Sequence, residues 1–150
     1  MNKLTIALLF TIVLLSPQKI RAQNDAVALE MIGYTSASMI YTSHELMGKL
    51  HDGFEYECLE KEEVIRELDA QINLLDGAAA QYQKVLSSDW LQDDADAKSI
   101  REIRRCCLLL KKQADALKVL VESDYNDSPE KYNDLRTESW DLIKQILQIE

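Results

Sequence analysis

Three cysteines, two histidines and three evenly spaced methionines carry most of the chemistry this 150-residue chain could offer. Cys58, Cys106 and Cys107 are thiols that could pair, join two chains or hold a soft metal. Met31, Met39 and Met47 recur every eight residues, a spacing that invites a copper–thioether reading in an exported protein. Placed along one side of a core helix, the same residues are ordinary gap-fillers, and that reading is simpler. His44 and His51 lack the Glu-x-x-His spacing of a di-iron bundle, because Tyr41 and Gly48 stand three residues before them. His44 with neighbouring acids, or Cys58, offers too few ligands for a specific zinc site. Asp124, Asn126 and Ser128 imitate the start of a calcium loop. Pro129 then stands where that loop needs glycine and Leu135 where it needs glutamate, so helix capping accounts for them better.

Other chemistries are poorly supplied. The chain has no Cys-x-x-Cys-His motif for covalent haem and no glycine-rich phosphate loop. Its histidines and scattered serines do not form a set of nucleophile, base and orienter. No catalytic residue, no cofactor and no metal is therefore expected, and the chain reads as a non-enzyme.

The elements that must position these groups are helices. Ile65, Leu68, Ile72, Leu75, Ala79, Tyr82 and Leu86 recur at alternating steps of three and four. So do Ile100, Ile103, Cys107, Leu110, Ala114, Leu117 and Val121. This is the seam of helices packed lengthwise on one another, as in a coiled coil. The two runs are mirror images. A fold at Leu91 sets Ile65 against Leu117, Leu68 against Ala114, Ile72 against Leu110, and Tyr82 against Ile100, which predicts an antiparallel helical hairpin.

Flanking helices extend the pattern. A first helix is expected over Gln23–Leu50, with the seam Ala28, Ile32, Thr35, Met39, Thr42, Leu46 and Leu50, and a turn at His51-Asp52-Gly53. The second is expected over Phe54–Ser87; Gly77 inside it points to a close approach of helices. The third is capped by Asp93 or Asp94 and ends near Ser123. A fourth follows Ser128-Pro129, with Tyr132, Leu135, Ser139, Leu142, Ile146 and Ile149 as its seam. Folding near Asp52 and Asn126 stacks Ile32, Ile72, Leu110 and Leu142 in one layer and Met39, Ile65, Leu117 and Leu135 in the next. The expected fold is all-α, an antiparallel up-down-up-down four-helix bundle with helices 2 and 3 longest.

Residues 1–22 read as a signal peptide. Lys3 is its positive start, Leu4–Leu15 its apolar run, and Ile20-Arg21-Ala22 its cleavage region. Residues 23–150 would then be the bundle domain, exported to a periplasm or secreted. The signal contains Lys3, Lys19 and Arg21 and no acid, so its removal takes the formal net charge from −9 to −12. Such a surface repels nucleic acid and anionic lipid and favours cationic partners. No membrane partner is expected unless the signal stays as an uncleaved anchor.

Two places stand out for function. Helices 2 and 3 are expected to outlast their neighbours, exposing Tyr82, Leu86, Trp90, Leu91 and Ile100 as a contact surface for an unknown protein or a second copy. Thr35, Leu68, Ala114 and Ser139 form a layer of little volume, where a small molecule or cation could lodge. Cys58 and Cys107 fall about 25 Å apart at the helical rise, too far for a disulfide. Cys107 reads as core. Cys106, at the seam's edge, is the candidate for an intermolecular disulfide. The functional expectation is a non-catalytic interaction or structural module, with a small-molecule- or cation-binding bundle as the alternative.

Overall fold

The structure, a computed structural model, describes the backbone of residues 3–91 and 93–149, and side chains from Asp25 onward. Its elements are α1 (Lys3–Glu55), α2 (Lys61–Leu86), α3 (Asp94–Glu122) and α4 (Glu130–Leu147). The chain falls into two compact units, Met1–Thr35 and Ser36–Glu150. The first is the N-terminal part of α1. It contains the expected cleavage point after Ala22, where side chains lie outside the described residues. The second is an all-helical four-helix bundle, as the apolar periodicity requires. Among the described residues, no helix is long and apolar enough to cross a membrane.

α3 is the spine of the bundle. Its buried residues come as adjacent pairs: Cys106 and Cys107, Leu109 and Leu110, Gln113 and Ala114, Ala116 and Leu117, Leu120 and Val121. Neighbours on a helix point about 100° apart, so the pairs make a buried arc wide enough for helices on both sides. α2 packs on one side with Val64, Leu68, Leu75 and Ala79, and α4 on the other with Tyr132, Ser139, Leu142 and Ile143. The mirrored registers of both hairpins are present. Lys118 Nζ reaches Asp69 across α2 and α3 at 2.7 Å, and Ser139 meets Gln113 across α3 and α4 at 2.6 Å. The caps follow the local chemistry: Asp93 accepts from the Ala95 N–H at 2.7 Å, and the Glu130 N–H donates to the Ser128 hydroxyl at 3.3 Å.

α1 departs from expectation in three ways. It is the longest helix, so helices 2 and 3 are not. It runs on to Glu55, and the chain reverses at residues 56–60, with Glu57 left-handed at φ 56°. Gly53 stays helical. Its missing side chain makes room for Leu59, whose Cδ1 lies 2.5 Å from where a Cβ would sit, while its carbonyl accepts the Cys58 and Leu59 N–H groups at 2.8 and 2.9 Å. The glycine serves packing of the reversal rather than a positive φ.

The seam also turns by one residue. The buried positions are Ser36, Ile40, Ser43, His44, Met47, Gly48 and Leu50; Thr42 is exposed, and Met39 and Leu46 are only half-buried. Ser36 binds the Tyr82 hydroxyl at 2.5 Å. The expected fold at Asp52 would have set Tyr82 against Ala22, fourteen residues earlier on α1. A slide of two heptads keeps apolar residues facing apolar residues, so periodicity alone does not exclude it. Thr35 and Thr42 instead turn outward and bond back to the carbonyls of Met31 and Ser38, at 2.7 and 2.8 Å.

Gly77 corrects another expectation. A Cβ built there meets nothing within 4 Å, so it faces open space rather than a neighbouring helix. Gly77→Ala should therefore stabilise the bundle by about 0.5–1 kcal/mol through helix propensity, measured by chemical denaturation.

Candidate functional site

Three helices meet through buried polar side chains. His44 of α1 is 6% exposed, and Gln113 of α3 and Ser139 of α4 are fully buried. The Ser139 hydroxyl lies 2.6 Å from Gln113 Oε1, 3.2 Å from His44 Nδ1 and 3.0 Å from the Arg136 carbonyl. A serine has one proton to give. With it on Gln113 Oε1, the His44 Nδ1–H donates to Ser139. The Gln113 amide nitrogen finds no acceptor among the described residues.

An aromatic stack runs beside this assembly. Trp140 lies on His44 with centroids 5.3 Å apart, and Tyr41 tilts against Trp140 at 6.2 Å. Further along, His51 stacks on the buried Tyr132 at 5.0 Å. Tyr125 then links His51 to Phe54, each at 5.7 Å.

His44 alone of this assembly opens onto a cleft between α1 and α4 of about 350 Å³, lined by His44, Glu45, Arg136, Thr137 and Trp140. A smaller lobe of about 90 Å³ shares His44, Glu45 and Arg136 and adds Gly48, Lys49 and Asp52. Gly48 matters here: a Cβ on it would sit 3.1 Å from Arg136 Nη2, so the bare backbone seats the guanidinium. Among the described residues neither Arg136 nor Glu45 forms an ion pair. Burial lowers the His44 pKa from 6.5, and the Arg136 cation lowers it further, against the opposing pull of Glu45 and of the Gln113 hydrogen bond. The imidazole is neutral at neutral pH. Because Ser139 is fully buried, no substrate atom can approach its hydroxyl, so the arrangement suits holding a ligand better than attacking one.

A second cleft of about 560 Å³ opens where the α1–α2 and α3–α4 turns meet, lined by Phe54, Leu59 and Tyr125 with Glu55, Glu57, Glu60 and Asp124 around Lys61. Lys61 is already engaged, donating to Asp124 Oδ1 at 2.9 Å and to the Glu122 carbonyl at 2.8 Å. Asp124 thus serves the turn, as capping chemistry implied.

The residues singled out in the sequence are placed as follows. Ile100 is buried, at 3% exposure, and Tyr82, Leu86, Trp90 and Leu91 are half-buried, so the hairpin tip is not the open apolar cluster expected. The small layer keeps Leu68, Ala114 and Ser139 buried, but Thr35 is exposed, and His44 and Gln113 meet Ser139 instead. Met31 is 63% exposed, Met39 half-buried and Met47 buried. Steps of eight turn a helix by about 80°, so the three do not share one side. Cys106 is fully buried, not at an accessible edge, and burial pushes its thiol and that of Cys107 up to about 12. A thiol so placed cannot reach a second chain while the bundle is folded. Cys58 is exposed. His51 Nδ1 lies 3.0 Å from Asp52 Oδ1 and 3.9 Å from Glu55 Oε2, a grouping on one helix that a local hydrogen bond explains.

The sequence pattern places Ser139 in the α4 seam and in the small layer, and offers His44 as a weak metal ligand or an isolated base, without joining the two. The missed signal was Gln113, an amide inside the apolar arc of α3, where a polar group must find buried partners.

Two outcomes follow from these environments. A thiol reagent should modify only Cys58 in the native protein and all three cysteines after unfolding, counted by mass spectrometry. Because folding lowers the His44 pKa below 6.5, the unfolded chain binds the proton more readily; the stability contribution is present above pH 6.5 and lost as pH falls through the folded value. His44→Gln should flatten the fall in stability below pH 6.5 relative to the unaltered protein in urea titrations.

No protein-family model, curated protein or solved structure matches this chain.

Proposed function

We propose that this protein is an exported helical bundle, periplasmic or secreted, that works by binding a small molecule rather than by catalysis, and that the binding site is the cleft between α1 and α4. One observation carries the reading. Arg136, a permanent cation, is seated on bare backbone at Gly48 and faces that cleft with no carboxylate paired to it among the described residues. Guanidinium groups near a protein's own acids ordinarily pair with them; this one hydrogen-bonds the Tyr132 hydroxyl, and its remaining N–H donors, with no carboxylate paired to them among the described residues, are open to a ligand in a concave site. His44, which lines the cleft, is held from behind by its hydrogen bond to the buried Ser139, itself bonded to Gln113. The N-terminal stretch that reads as a signal peptide supports export, and the acidic balance argues against nucleic acid as the partner.

A second reading keeps the hairpin tip as a contact surface for a protein or a second copy. It is favoured by Tyr82, Leu86, Trp90 and Leu91 each being half-buried rather than enclosed. The two tryptophans separate the readings, since Trp140 lines the cleft and Trp90 sits at the tip. In two-dimensional NMR of the bundle with a library of charged and aromatic small molecules, the Trp140 indole N–H signal should move while that of Trp90 stays. Binders that move Trp90 alone, or none that moves Trp140, would sink the cleft reading.

A further inference from the structure

We infer that the cleft between α1 and α4 takes a small zwitterion, an α-amino acid with an apolar or aromatic side chain. The inference rests on the cleft being the binding site and names what enters it.

Charge comes first. Glu45 and Arg136 both line the same cleft, yet neither appears in an ion pair among the described residues. Opposite charges that line one concave surface without a direct contact between them suit a ligand carrying both signs. A simple anion would meet Arg136 but also Glu45; a simple amine would meet the reverse. A ligand with both groups satisfies each, through charge-assisted hydrogen bonds of the guanidinium to its carboxylate and of Glu45 to its ammonium. His44 adds no third charge, because burial and Arg136 keep it neutral.

The remaining wall is apolar. Trp140, half-buried and stacked on His44, offers ring surface for a side chain. The volume of about 350 Å³ lies at the lower end of small-molecule sites, which suits a single amino acid better than a long ligand. Geometry also holds the cation in place. A Cβ at Gly48 would press on Arg136 Nη2 at 3.1 Å, so this glycine is part of the seat.

The test is calorimetric titration of the full bundle with L-phenylalanine, 3-phenylpropanoate and phenethylamine, which share the ring but carry both charges, only the anion, or only the cation. Phenylalanine should bind, and each single-charge analogue should bind at least about tenfold more weakly, as loss of a charge-assisted hydrogen bond implies. Arg136→Gln and Glu45→Gln should each weaken phenylalanine by at least about tenfold, while Lys111→Gln on α3, paired with Asp115 away from the cleft, should not. Circular dichroism of each variant shows whether the bundle is intact. Equal binding of phenylalanine and 3-phenylpropanoate, or of phenylalanine and phenethylamine, would overturn the zwitterion while leaving the cleft as a binding site. No heat with any of the three overturns the zwitterion as well, and the Trp140 indole signal in the library screen then decides the cleft separately.

Discussion

Everything in the bundle depends on how much of α3 must be hidden. Its buried residues fall in adjacent pairs from Cys106–Cys107 to Leu120–Val121, a face too wide for one partner helix. A helix with a single a/d stripe is satisfied by one neighbour; α3 must be covered on both sides. α2 and α4 meet that demand through short connections, which makes both antiparallel to α3. The cost of exposing this arc is of the order of 1.5–3 kcal/mol for each large apolar residue, so no other single element weighs as much.

Into this apolar arc the chain inserts one amide, Gln113, and that choice constrains the rest. A buried amide needs hydrogen bonds, and Ser139 of α4 and His44 of α1 are brought to it. Apolar contacts tolerate a slide by a whole heptad, but this polar set does not, because any slide would strand three dry groups at once. We read the assembly as fixing the mutual register of α1, α3 and α4; replacement of all three by apolar residues of similar size should then loosen register before stability, which hydrogen exchange would detect. The Ser36–Tyr82 bond plays the same part between α1 and α2. Register and candidate site are thus linked through one residue: His44, held by the buried polar set, also lines the cleft that Arg136 faces.

The cysteines illustrate how packing decides chemistry. Cys58 and Cys106 are the same side chain, yet one is exposed and the other is enclosed by the core, with its thiol pushed up to about 12. Reactivity follows from the thiolate fraction and access, so the residue type says little until the neighbours are known. His44 and His51 differ likewise. One is buried in a polar core, and the other stacks on Tyr132 with its Nδ1 turned to Asp52.

Much of the fold was written locally. The alternating threes and fours of helices 2, 3 and 4, the reversals near Leu91 and Asn126, and the caps at Asp93 and Ser128 are set by residues close in sequence, and they are legible there for that reason. Three things were decided only by tertiary structure. The phase of α1 turned by one residue, because Ser36 and His44 are drawn inward by Tyr82 and Ser139, partners that hydropathy does not see. The reversal after α1 moved to residues 56–60, because a heptad pattern reads the same after a slide and Gly53 is used for Leu59 rather than for a turn. The cleft, finally, joins Glu45 of α1 to Arg136 and Trp140 of α4, more than ninety residues later in the chain. Periodicity could place each of them on a helix. Which polar groups would face one another, and which would be left without a partner, depended on where all four helices came to rest.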